Sequence, residues 1–265
     1  MRSIAIMNQK GGVGKTTTAV NVSAALAATG QRVCLIDMDP QAHATLHFGI
    51  EPRPQVPSIY DVLVSGTKLS EVRRRAGENL WVAGSHLDLA AAELELSGVV
   101  GREQILRDKL AEDDAEFDYL FIDCPPSLGV LTLNALTAVD EVFIPLQPHF
   151  LALHGLSKLL ETIDLVARRL NHRLKLSGVI LCMFDGATRL AGEVSQDVDD
   201  FFRTQRDGPT CWAGAHTFQT RIRRNIRLAE APSFGQSIFE YAPTSNGAED
   251  YRQLAVEILS CVVPA

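Results

Sequence analysis

Lys10-Gly11-Gly12-Val13-Gly14-Lys15-Thr16-Thr17 sets three glycines among two lysines and two threonines, directly after a short apolar run. Glycines let backbone N–H groups converge on phosphate oxygens, and the N-terminus of a following helix adds its positive end. Lys15 is then placed to reach β and γ oxygens, and Thr16 to set its hydroxyl on Mg²⁺. Gly11, Gly12, Val13, Gly14 and Thr17 complete the cradle. The general Walker A pattern has glycine five residues before the Gly-Lys pair. Here that position is Gln9, and a second lysine, Lys10, stands at the mouth of the loop. From there it can stabilise phosphate charge locally or reach across an interface. No Asn-Lys-x-Asp guanine-reading sequence follows, which favours ATP over GTP.

A phosphoryl-transfer site also needs carboxylates at strand ends on the same sheet edge as the cradle. Two apolar runs end suitably: Val33-Cys34-Leu35-Ile36 leads into Asp37-Met38-Asp39-Pro40, and Tyr119-Leu120-Phe121-Ile122 into Asp123-Cys124-Pro125-Pro126. Asp37 and Asp123 suit a magnesium ion held through water. Asp39 is the candidate for orienting the attacking water. Each aspartate alone also fits a solvated turn before proline.

These residues need a scaffold, and the chain supplies one. Short apolar runs at 3–7, 32–36, 80–83, 118–122, 141–145 and 176–183 alternate with helical periodicity at 16–28, 153–170, 194–202 and 245–262. That alternation predicts an α/β fold, a mostly parallel twisted sheet with helices on both faces. Gly30 is a C-cap signal. The segment 51–57, with three prolines, reads as a loop. No linker stands out, so residues 1–265 read as one domain.

Composition narrows the class. Hydrophobic residues make 46% and charged residues 22%, ordinary globular usage, and the net charge is −7. Any affinity for DNA must therefore come from a local patch. The five cysteines are never spaced as CxxC, which speaks for a reduced, cytoplasmic chain without a zinc site. No apolar stretch reaches the length of a membrane span.

Taken together, Asn8–Thr18, Leu35–Gln41 and the run Asp123-Cys124-Pro125-Pro126-Ser127-Leu128-Gly129 resemble the ParA/Soj partition ATPases of the MinD/ParA group. Ile59-Tyr60-Asp61-Val62-Leu63, Ala152-Leu153-His154-Gly155-Leu156 and Arg227-Leu228-Ala229-Glu230-Ala231-Pro232-Ser233 extend the resemblance along the whole chain. It implies an ATP- and Mg²⁺-dependent homodimer in which Lys10 of one subunit contacts the other's nucleotide. It also implies that the dimer binds DNA without sequence preference, and that a ParB-like partner stimulates slow hydrolysis and releases it, segregating a chromosome or plasmid on the nucleoid. The sequence departs from the family pattern in places. Gly-Asn-Ala-Thr is here Ala42-His43-Ala44-Thr45, Ile-Pro-Arg-Asn is Ile222-Arg223-Arg224-Asn225, and an arginine common two residues after Asp185 is Ala187, with Arg189 further on.

Arg221 to Arg227 holds four arginines in seven residues with no acid among them. Arg224 and Arg227 are the first candidates for DNA phosphates, followed by Arg223 and Arg189. Arg73-Arg74-Arg75 reads instead as a solvated helix face. Related engines offer alternatives. A ParA-like ATPase can position a non-chromosomal cargo, a MinD-like membrane switch should end in a basic amphipathic helix, and a nitrogenase-reductase-like carrier needs cluster-ligating cysteines. No Lys or Arg follows Arg252, and Cys124 reads as a small buried thiol. The cluster carrier is therefore not expected, while the cargo-positioning and membrane-associated ATPases stay as the alternatives. A metabolic P-loop ligase is disfavoured by the lack of a further acid–base constellation.

Overall fold

The computed structural model describes residues 1–149, 152–205 and 208–261. Among the described residues nine strands form one sheet: β1 (Arg2–Ile6), β2 (Val33–Asp37), β3 (Arg73–Arg75), β4 (Leu80–Ala83), β5 (Tyr119–Asp123), β6 (Glu141–Leu146), β7 (Lys175–Phe184), β8 (His216–Thr217) and β9 (Ile222–Arg223). Their order is β3-β4-β2-β5-β1-β6-β7-β8, with β9 also on β7. Every pairing is parallel except β3 with β4. The α/β architecture read from the sequence is therefore the one observed.

The central strands are apolar throughout because both faces are covered. Ala5, Cys34, Ile36, Leu120, Ile122, Val142 and Ile144 face one core, packed by the helices Val130–Ala138, Ala152–Arg169 and Arg189–Gln205. Their neighbours Ile4, Ile6, Val33, Leu35, Phe121 and Phe143 face the other, under the helices Lys15–Ala28 and Asn246–Ser260. The period of two along each strand thus assigns alternate residues to opposite layers.

The helix Lys15–Ala28 ends as its sequence suggests: Gly30 adopts φ +89° and its N–H donates to the Ala27 carbonyl at 3.0 Å. Its start carries no cap of its own. Ser58, Asn225 and Ser245 cap their helices with side-chain oxygens, whereas this one begins at Gly14 with no side-chain cap and no acid in its first turn. Its first N–H groups are left for an external anion.

Two expectations change. Arg73–Arg75 is not a helix face but an antiparallel edge strand, where charge also discourages further pairing. Arg73 forms a largely buried ion pair with Asp113 and lies over the Phe117 ring. The helix expected at 194–202 runs from Arg189 to Gln205. The segment 51–57 contains no helix or strand. Val262, the last residue of the expected terminal helix, lies outside the described residues.

Candidate active site

β1 delivers the glycine loop to the same edge where β2 and β5 end. Asp37 and Asp123 are partners in the β2–β5 register, and Ile6 pairs with Asp123 across β1 and β5. Cradle and carboxylates therefore meet at the carboxyl ends of adjacent parallel strands. Asn8 anchors the loop: its Nδ2 donates to the Pro145 carbonyl at 2.8 Å, and its Oδ1 accepts from Lys10 N at 3.0 Å. Gly12 and Gly14 take φ of +72° and +94°, a region that side chains disfavour. Lys15 folds back over the loop, Nζ donating to the Lys10 carbonyl at 3.1 Å. Burial lowers its pKa, while Asp123 and Asp39 pull the other way. Lys10 is exposed, with Nζ 2.5 Å from His149 Nε2.

The two strand-end aspartates are fully buried but differently served. Asp37 Oδ2 accepts from Thr45 N at 2.8 Å and Thr45 Oγ1 at 2.7 Å, and its Oδ1 accepts from Asp39 N at 3.1 Å. Burial pushes its pKa up to about 6, against those hydrogen bonds. Asp123 also rises, from burial first and then from Asp37, with Thr16 and Lys15 opposing. Neither Asp123 oxygen has a hydrogen-bond partner of ordinary geometry. A buried carboxylate whose nearby hydroxyl, on Thr16, lies outside ordinary hydrogen-bond geometry is an expensive group unless something binds to it. Its neighbours Thr16 and Lys15 make it suited to a hydrated hard cation. Among the described residues no cluster of three His, Cys, Asp or Glu could hold a metal alone. A magnesium ion here would draw most of its ligands from water, Thr16 and phosphate.

Asp39, half-buried just beyond β2, accepts from Gln41 N at 2.9 Å through Oδ1. Ala42 follows at φ +54°, where the family pattern has glycine. An L side chain in this region is strained, so Ala42→Gly is expected to stabilise the fold by about 1 kcal/mol. Thermal unfolding checks this, and an unchanged or lower Tm would contradict it. The short helix His43–His47 comes next. His47 is buried with Nε2 unpartnered, and burial lowers its pKa to about 4. The unfolded chain therefore takes up its proton first: the stabilising contribution is present above pH 6.5 and is lost as pH falls towards 4. Relative to His47→Leu, the native chain should lose roughly 3 kcal/mol across that window. Parallel pH-dependent denaturation curves for the two would refute this.

Beside the loop a cavity of about 360 Å³ is lined by Gly14, Thr17, Cys182, Met183, Ile222 and Tyr251, among others. Met183 has φ +51°, local strain at its wall. A Cβ on Gly14 would lie 3.5 Å from Cys182, so cavity and cradle are contiguous. The Thr18 and Tyr251 hydroxyls meet behind it at 3.1 Å.

A family profile described as an AAA domain matches residues 1–176. The sporulation initiation inhibitor protein Soj of Bacillus subtilis is 46% identical over 256 residues, covering 96% of this chain and 97% of Soj. The chromosome partitioning protein ParA of Myxococcus xanthus is 44% identical over 264 residues, covering 99% and 89%. The chain belongs to the Soj/ParA chromosome-partitioning ATPases. The fold also matches a structure titled cobyrinic acid a,c-diamide synthase from Mycobacterium smegmatis with bound ATP analog and magnesium. Its TM-score is 0.81 at 36% identity, covering 98% of this chain and 94% of that one.

In this Soj/ParA ATPase the arginines singled out for DNA sit in unequal surroundings. Arg223 is held by Asp250, Arg227 by Glu230 at 2.8 Å and Arg189 by Glu193 at 2.8 Å. Arg224 is exposed and has no ion pair among the described residues. Cys124 is fully buried, and burial pushes its thiol well up, so it packs as a small apolar group. Sequence reasoning missed Thr45 and Asp250 as site-shaping residues. Thr45 had a signal, being part of the altered segment after Asp39. Asp250 had none, because its partner lies far along the chain.

Proposed function

We propose that residues 1–265 form a single ATPase domain that dimerises on ATP and Mg²⁺, binds DNA without sequence preference as that dimer, and drives chromosome or plasmid partitioning. The observation that carries the nucleotide reading is the unserved Asp123 carboxylate facing Thr16 and Lys15 at an uncapped helix start. Magnesium bound there would neutralise charge between the β and γ phosphates. The N–H groups of Gly11, Gly12, Val13, Gly14, Lys15, Thr16 and Thr17 hold phosphate oxygens, and Lys15 reaches the γ end. Thr16 would hold the ion directly, with Asp37 and Asp123 acting through water. Asp39 orients the attacking water, and Asp37, through Thr45, fixes the loop that carries it.

Lys10, exposed at the mouth, is the residue that reaches the partner subunit's nucleotide. The relatives named for partitioning support a ParB-like protein as the stimulator of slow turnover. They also support a cytoplasmic, nucleoid-associated location. No helix among the described residues is long and apolar enough to cross a membrane.

DNA contact falls first to Arg224 and Arg227, with Arg223 and Arg189 at the margin. Each phosphate neutralised makes log K fall by about 0.9 per log unit of salt. Arg224→Glu with Arg227→Glu, assayed at ATP concentrations that saturate the variant, should abolish retention on plasmid DNA at moderate salt. Unchanged retention would refute the assignment.

A further inference from the structure

The wall of the cavity beside the cradle is tied to the last helix through acids. Glu257 accepts from the backbone N–H of Gln219 at 2.6 Å and of Thr220 at 2.9 Å. Asp250 accepts from Arg223 N at 2.9 Å and from its guanidinium at 2.6, 3.0 and 3.1 Å. Gly247 lies so close to Leu228 that a Cβ there would approach it to 2.8 Å. Between these anchors, Arg223, Arg224, Asn225 and Ile226 line the cavity.

The Asp250 side chain is 4% exposed, and among the described residues Arg223 supplies all of its hydrogen bonds. Such a carboxylate stays buried only while its partner stays in place. The family pattern has proline at this position. Proline fixes φ but has no N–H to donate, so the backbone bond to Asp250 belongs to a chain with another residue there. Restraint by a ring is replaced by restraint through a paired charge.

We propose that Arg223 and Asp250 are positioning residues that clamp the 222–226 strap against the last helix and so shape the pocket for the nucleoside end of ATP. This rests on the nucleotide reading above.

The test is titration of a fluorescent ATP analogue with Mg²⁺, alongside competition by inorganic tripolyphosphate, which engages the cradle alone. Arg223→Ala and Asp250→Asn should each weaken the ATP analogue about 3- to 10-fold, the scale of a charge-assisted hydrogen bond partly open to water. Tripolyphosphate affinity should hold within twofold. The double variant should bind no worse than the weaker single one, and Arg223→Lys should recover part of the loss. If Asp250→Asn does not fold, Arg223→Ala decides alone, since its side chain is half exposed.

ATP affinity within twofold of native in Arg223→Ala would overturn the clamp, as would equal losses of ATP and tripolyphosphate. Lys15→Ala, run in parallel, should lose both ligands. If it kept them, the nucleotide reading would fail and the clamp with it.

Discussion

Lys15→Ala is expected to lower ATP affinity by about 10²- to 10⁴-fold, the value of two charge-assisted hydrogen bonds to phosphate at roughly 1.5–3 kcal/mol each. The ammonium already sits in the loop, 7% exposed and bonded to the Lys10 carbonyl. Its desolvation is therefore met in folding and is not added on binding. Exchange of one carbonyl for phosphate oxygens turns that stored cost into affinity. Isothermal titration with ATP and Mg²⁺ reads the effect. Affinity within tenfold of native would show that another group holds the β and γ oxygens.

Asp39→Ala acts on a different step. Among the described residues its carboxylate accepts one hydrogen bond, from Gln41 N, and does not hold the cradle. Hydrolysis should fall about 10²- to 10⁴-fold, as when a positioned base is removed. ATP affinity should stay within a few-fold, so the triphosphate-bound dimer accumulates. Asp39→Asn retains an acceptor for Gln41 N and should be as slow, which separates chemistry from loop geometry. Full turnover in either variant, measured as phosphate release at saturating ATP, would show the water-orienting role to be misassigned.

The cradle and its carboxylates were legible because their signals are local. A glycine loop must be contiguous to wrap a phosphate, and a doubly buried strand prints its apolar run directly before the aspartate that ends it. The helix Val130–Ala138 lacked such a mark: Leu131, Thr132, Asn134, Ala135, Leu136 and Thr137 are all buried, so no polar face gives it a helical period. β8 and β9 are two residues each and exist only because β7 offers them an edge. The acid that pairs with the arginine-rich segment was hidden for a related reason. The acid that pairs with Arg223 lies 27 residues away and comes beside it only through packing of the last helix. Asp37 is similar: its place at the strand end was visible, but its engagement by Thr45 depends on the Ala42 turn.

In the proposed cycle two chains close over bound ATP. Light scattering on the native protein with Mg²⁺ and a non-hydrolysable ATP analogue should show the mass rising from 28.9 kDa to twice that value, with ADP leaving single chains. Single chains with the analogue, at concentrations that saturate the cradle, would contradict it.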